Sequence, residues 1–216
     1  MRPRVKICGI RNILDAKNAL KFGADAIGLL VGQKHNAVDF ISTKEAKEII
    51  DKLPPFCSSV LVTHMAKAKE IYSIASYVGA SNIQLHGDSS VEDVLELKSY
   101  LPHVKLIKCL HVVDEGSIDG GQEFFGLVDA ILLDTINVDT NQVGGTGLVH
   151  DWSISRKIVE ACPLPVILAG GLRSDNVQEA VQKVNPFAVD VNSGTKGKNG
   201  HKDLLKLQAF IENAKA

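Results

Sequence analysis

No stretch of this chain stays apolar for the eighteen or so residues that a membrane-spanning helix requires. Nor do residues 1–4 contain the apolar core of a secretory signal before the first β-branched run begins. A cytoplasmic protein with no membrane partner is expected. Neither sign of charge dominates: 24 basic against 25 acidic side chains leave a formal net charge of -1. No global field therefore draws nucleic acid, and an anion has to be caught locally. The four cysteines, Cys8, Cys57, Cys109 and Cys162, lie far apart without CxxC spacing, in a chain large enough to bury its own core, and read as reduced thiols. Low-complexity tracts and interdomain linkers are missing, and Ala66-Lys67-Ala68-Lys69 reads as a solvated helix face, so one domain over residues 1–216 is expected. No G-x-G-x-x-G follows the first strand, only Cys8-Gly9-Ile10-Arg11, which counts against a dinucleotide-binding sheet.

What is present is a short β-branched run alternating with a longer amphipathic one about every 25 residues, the pattern of repeated βα units. A first strand ends at Cys8, and others are expected at residues 26–31, 58–63, 82–85, 105–109, 130–133, 165–168 and 188–191. Asn12, with Asp15 three residues on, is expected to cap the first helix. Further helices are expected at 43–53, 67–78, 90–100, 153–161, 174–184 with Ser174 as cap, and 202–214. Residues 115–125 carry the least helical pattern, because Gly120-Gly121 interrupt them. Eight parallel strands with right-handed crossovers close most simply as an α/β (β/α)8 TIM barrel, for which this length is near the lower limit; an open doubly wound sheet is the alternative.

Active sites of such barrels are built at the carboxyl ends of the strands. There the aliphatic sequence turns polar, through Cys8, residues 32–35, His64, His86, His111, Asp134, Gly170-Gly171 and Ser193-Gly194. Cys8 is either a reactive thiol or one more small buried apolar residue, with Gly9 allowing the backbone to turn away at once. Gly170, Gly171, Ser193 and Gly194 follow the last two strands, where exposed backbone amides bind phosphate; their other reading is tight turns. Asp134 stands at the rim of an apolar barrel, where burial raises a carboxyl toward the range of a general acid; its other reading is a loop cap. Cys8 and Asp134 together suit the base and acid of an aldose–ketose isomerisation. The thiolate needs a lowered pKa, for which Lys6, on the same face but one layer deeper, is a poor source.

An ordered set of motifs spans essentially the whole chain: Lys6-Ile7-Cys8-Gly9-Ile10, Gly23-Ala24-Asp25-Ala26-Ile27-Gly28, Gln84-Leu85-His86-Gly87, Leu132-Leu133-Asp134-Thr135, Gly144-Gly145-Thr146-Gly147 with Asp151-Trp152, Ala169-Gly170-Gly171-Leu172 with Asn176-Val177, Asp190-Val191 with Ser193-Gly194, and Gly200 with Lys202-Asp203. On these the sequence resembles the phosphoribosylanthranilate isomerase family of tryptophan biosynthesis. The resemblance implies an Amadori rearrangement of N-(5-phosphoribosyl)anthranilate without a cofactor. Cys8 would take the sugar C2 proton and Asp134 would protonate the ring oxygen. Gly170, Gly171, Ser193 and Gly194 match the phosphate positions, Gln84, His86 and Gly145 fall at substrate-binding positions, and Trp152 reads as packing. A small phosphorylated sugar is the expected partner, of a monomer or a homodimer.

The chain departs from the family pattern after the second strand, where a Ser-x-Arg segment usually supplies an arginine to the anthranilate carboxylate. Here Gly32-Gln33-Lys34-His35-Asn36-Ala37-Val38-Asp39-Phe40 puts Asp39 about where the arginine stands, so Lys34 or His35 has to replace it, or the substrate lacks that group. His64 replaces an aromatic residue, His111 is another histidine, and Lys196 replaces a glutamate. A rival reading follows: His35, His64, His86 and His111 succeed strands two to five and suit a zinc or iron ion polarising a sugar carbonyl, loosely as in metal-dependent pentose-phosphate epimerases. A third class, a non-catalytic barrel binding a phosphorylated metabolite, has no need of both Cys8 and Asp134. Residues 32–42 have the length and polarity of a lid.

Overall fold

In a computed structural model, residues 2–32, 39–137, 142–143 and 151–216 are described. Strands β1 (Arg4–Ile7), β2 (Ala26–Leu30), β3 (Ser58–Thr63), β4 (Asn82–Leu85), β5 (Lys105–Val112) and β6 (Ala130–Asn137) are followed by a two-residue β7 (Gln142–Val143), β8 (Val166–Leu168) and β9 (Ala188–Val191). The hydrogen-bonded order is β5-β4-β3-β2-β1-β9-β8-β6-β7, and a β5–β6 pairing closes the ring. Every barrel pairing is parallel, so the eight long strands form the expected (β/α)8 barrel. Helices α1 (Ile13–Lys21), α2 (Thr43–Ile50), α3 (Ala68–Val78), α4 (Val91–Tyr100), the short α5 (Asp119–Gln122), α6 (Trp152–Ala161), α7 (Val177–Val184) and α8 (Leu204–Lys215) lie between and after the strands.

The aliphatic runs make these strands because both faces are covered. One alternate set, including Ile7, Ile27, Leu29, Leu61, Ile83, Leu85, Leu106 and Ile131, is fully buried against the helices. The other set, Leu30, Val60, Val62, Ile107, Ala130, Leu132 and Ile167 with Cys8 and Cys109, forms a second cluster inside the barrel. Burying each large aliphatic side chain contributes about 1.5–3 kcal/mol. The two layers therefore hold the ring shut and set which residues face its mouth.

Several local expectations change. β5 and β6 run past residues 109 and 133, because their ladder continues through His111↔Asp134 and Val112↔Thr135. Asp134 consequently lies within a strand, and β6 continues into an antiparallel pairing with β7. Residues 115–125 hold only a 3-10 turn and the four-residue α5, and Gly121 presses so closely on Leu110 that a Cβ there would lie 2.3 Å from its Cδ1. Asn12 does cap α1, accepting from the Asp15 amide. Ser174 does not cap α7: the helix starts at Val177, and the side chain of Asn176 accepts from the Arg173 amide instead, tightening the turn before it. Lys34, His35 and the rest of residues 33–38, within the segment expected to form a lid, lie outside the described residues, as do residues 144–147 with Gly145. Among the described residues no helix is long and apolar enough to cross a membrane.

Candidate active site

Period-two alternation sends Lys6 and Cys8 of the β1 segment, Gln84 and His86 of the β4 segment, Cys109 and His111 of β5, Asp134 of β6, and Asp190 and Asn192 of the β9 segment to the barrel interior. The polar members gather above an apolar plug, at the carboxyl ends of the strands.

Asp134 is 8% exposed. Its Oδ1 accepts from the Thr135 amide at 2.8 Å, which leaves Oδ2 facing His86 Nε2 at 3.6 Å. Burial, reinforced by the charge of Asp190, lifts its carboxyl to about 6 against the Thr135 hydrogen bond and the charge of Lys6. His86 is neutral, because burial and then the neighbouring His64 and His111 rings hold it well below the usual imidazole range. Gln84 Nε2 sits 3.0 Å from His86 Nδ1; in the tautomer where the amide donates, Nδ1 accepts and the ring proton is on Nε2, toward Asp134.

Cys8 owes its space to Gly28, where a Cβ would lie 2.8 Å from Sγ and 3.1 Å from Lys6 Cε. Lys6 is thus a direct neighbour of the thiol and acts on it through both charge and a hydrogen bond. Its ammonium is also bound to Asp190 Oδ2 at 2.8 Å, in a pair set by the register Lys6↔Asp190. As expected, Lys6 does not supply the lowering that a thiolate base needs. Burial outweighs Lys6 and Lys202 and pushes Cys8 up, so the thiol form predominates.

The glycine turns after β8 and β9 meet. A Cβ on Gly194 would lie 2.1 Å from the Leu172 carbonyl oxygen, and one on Gly170, whose φ is 81°, would lie 2.1 Å from Thr135 Oγ1. The first turn therefore packs on the residue next to Asp134 and the second packs on the first. Lys202, buried, braces the second turn by donating to Asn192 O at 3.0 Å, Asn192 Oδ1 at 3.2 Å and Thr195 Oγ1 at 3.2 Å, while burial pulls its ammonium down to about 8. Asn192 Nδ2 donates to Asp39 Oδ2 at 2.9 Å, and Lys196 Nζ binds the same oxygen. Two of the four departures from the resembled pattern, Asp39 and Lys196, thus form one ion pair.

His64, His86 and His111 succeed one another with ring centroids 5.1 and 5.7 Å apart. Of those three only His86 belongs to a group of donors close enough to share an ion. Among the described residues they are His86, Cys109 and Asp134, within 4.8 Å of one another. Sequence reasoning passed over Cys109, Asp190, Asn192 and Lys202 as site residues. The available signal was a charged residue in the middle of each of two buried strands, Lys6 and Asp190, at inward positions.

The model of the N-(5'-phosphoribosyl)anthranilate isomerase family matches residues 5–213. The N-(5'-phosphoribosyl)anthranilate isomerase 2 of Methanosarcina mazei is 48% identical over 98% of this chain and 94% of its own. The crystal structure of phosphoribosyl anthranilate isomerase from Thermotoga maritima superposes with a TM-score of 0.86 at 34% identity, over 99% of this chain and 98% of that one. A phosphoribosyl anthranilate isomerase in complex with reduced 1-(o-carboxyphenylamino)-1-deoxyribulose 5-phosphate does so with a TM-score of 0.82 at 33% identity, over the same 99% and 98%. With the match running nearly end to end, the chain belongs to the N-(5'-phosphoribosyl)anthranilate isomerase family.

Proposed function

We propose that this protein converts N-(5'-phosphoribosyl)anthranilate to 1-(o-carboxyphenylamino)-1-deoxyribulose 5-phosphate, with Asp134 as general acid and Cys8 as general base. Asp134 gives its proton to the furanose oxygen as the C1–O bond breaks and the amine lone pair forms a C=N bond. The Cys8 thiolate then takes the C2 proton, and the C2–H electrons form the C1=C2 bond while neutralising the iminium. Loss of the C2 hydroxyl proton and protonation at C1 complete the ketone. A base with a raised pKa is scarce as thiolate but stronger once formed, and Lys6 and Lys202 face the charge that develops on it.

The observation that carries this reading is the pairing of a carboxyl held near 6 on β6 with a thiol on the β1 segment, both inward and both under the charges of Lys6 and Asp190. We assign the phosphate to the paired turns of Gly170, Gly171, Ser193 and Gly194, whose mutual packing supports a single concave seat. Gln84 and His86 are assigned to the wall beside the acid. The aryl carboxylate is assigned to Lys196, which carries the cation of the Asp39 pair. The test is complementation of a tryptophan auxotroph lacking the isomerase. Growth restored by this chain and lost with Cys8→Ser and with Asp134→Asn supports the assignment, whereas growth indifferent to both removes it.

A further inference from the structure

We propose that His86, Cys109 and Asp134 form a capture site for a thiophilic divalent cation of the zinc and cadmium kind. The inhibition that follows rests on the reaction proposed above; the binding does not.

A ring nitrogen of His86, Cys109 Sγ and an Asp134 carboxylate oxygen lie within 4.8 Å of one another, inside the barrel and just below its mouth. Nitrogen, sulfur and oxygen donors in that combination are the ligands zinc takes. A tetrahedral ion with bonds of about 2.0–2.3 Å holds its ligands roughly 3.3–3.8 Å apart. His86 Nε2 and Asp134 Oδ2, at 3.6 Å, already stand at that spacing, and Cys109 is the donor that closes in. The Thr135 amide anchors Asp134 Oδ1, so Oδ2 is the oxygen free to bind.

An independent observation comes from Gln84. A histidine that binds metal through Nε2 carries its proton on Nδ1 and donates it to an acceptor in the outer shell. The Gln84 amide lies against His86 Nδ1, and its Oε1 is buried without a hydrogen-bond partner. Turning that amide end for end exchanges two atoms of nearly equal size. Oε1 then accepts from Nδ1–H, and Nε2 is freed for the ion. The thiol proton of Cys109 leaves to solvent on binding. An ion held there occupies the carboxylate that the isomerisation needs as proton donor, so metal and turnover exclude each other.

The test uses full-length enzyme freed of metal with a chelator, in a Cys57→Ser/Cys162→Ser background that removes the two less buried thiols. It is titrated with Co2+ and Cd2+ and followed by thiolate-to-metal charge-transfer absorption. One equivalent should bind, with isomerase activity falling in proportion to occupancy. Cys109→Ser and Cys109→Ala, whose folding is checked by circular dichroism, should lose the absorption band. Both should need about tenfold more Zn2+, or beyond, for the same inhibition. No band at millimolar Co2+ and Cd2+ overturns the site, as does a band that survives both Cys109 changes. Because the absorption titration needs no turnover, an enzyme inert toward the phosphoribosyl substrate would remove the proposed function while the metal site was still read.

Discussion

Asp39 and Lys196, 157 positions apart, share one ion pair that ties the chain beyond β2 to the turn beyond β9. Relative to the pattern that the resemblance implies, the acid and the cation stand at exchanged positions, and Coulomb attraction is indifferent to which partner carries which sign.

Breaking that strut from one side should cost more than removing it. Lys196→Met strands a carboxylate that is 6% exposed, and should lower stability by about 3 kcal/mol, while Asp39→Asn/Lys196→Met recovers most of the loss. Asp39→Arg alone opposes two cations, and Asp39→Arg/Lys196→Glu should return to within about 1 kcal/mol of the wild type. Urea unfolding measures all four, and strictly additive losses would show that the two side chains do not interact. Lys196→Met should also raise KM for the aryl substrate more than it lowers kcat.

Asp134 should trade stability for chemistry. Its carboxyl rises from an ordinary 3.8 to about 6 on folding, so the folded state disfavours the ionised form. The folded state binds more protons than the unfolded chain between those values, and stability falls as pH rises through that window. At neutral pH the penalty is about 3 kcal/mol. Asp134→Asn should therefore raise the Tm at pH 7.5, leave it nearly unchanged at pH 4, and abolish most turnover. A Tm lowered at pH 7.5 would contradict the cause assigned to the shift.

The pH dependence of kcat/KM in chelator-treated enzyme should rise to about 6, run level, and fall above 9, the ordinary thiol value that Cys8 exceeds. In the proposed mechanism the active form has Asp134 protonated and Cys8 ionised, a constant minority between those limits. In Asp134→Asn the break near 6 should vanish, with residual activity climbing until the thiol ionises. A break that persists in that variant assigns it to another group.

Gly170→Ala and Gly194→Ala should weaken phosphate recognition. A methyl at either position meets an atom at 2.1 Å, and Gly170 also has a φ of 81°. Each turn has to shift, at a cost of about 1–3 kcal/mol. KM for substrate and the inhibition constant of inorganic phosphate should rise together by about tenfold while kcat changes less. A rise in KM with unchanged phosphate inhibition would place the phosphate elsewhere.

The barrel was legible because its evidence is local: a β-branched run, a capped amphipathic run, and the same again. Cys8, Asp134 and the four phosphate-turn residues could be named for a related reason, since each stands at or near the end of such a run. The polarity of the Cys8 environment was not legible. Lys6 and Asp190 are 184 positions apart, and only closure of the first strand on the last sets them side by side.

The linear order of residues, by itself, determined the eight-fold βα repeat, the aliphatic strands and the placing of a carboxyl, a thiol and two glycine turns at or near strand ends, because period and adjacency are properties of neighbouring residues. Only the closed barrel decided that Asp39 meets Lys196, that burial pushes the Cys8 thiol up, and that Cys109 joins His86 and Asp134. Those outcomes depend on register between strands far apart in the chain and on how much water the ring excludes, and neither quantity exists until the ring has formed.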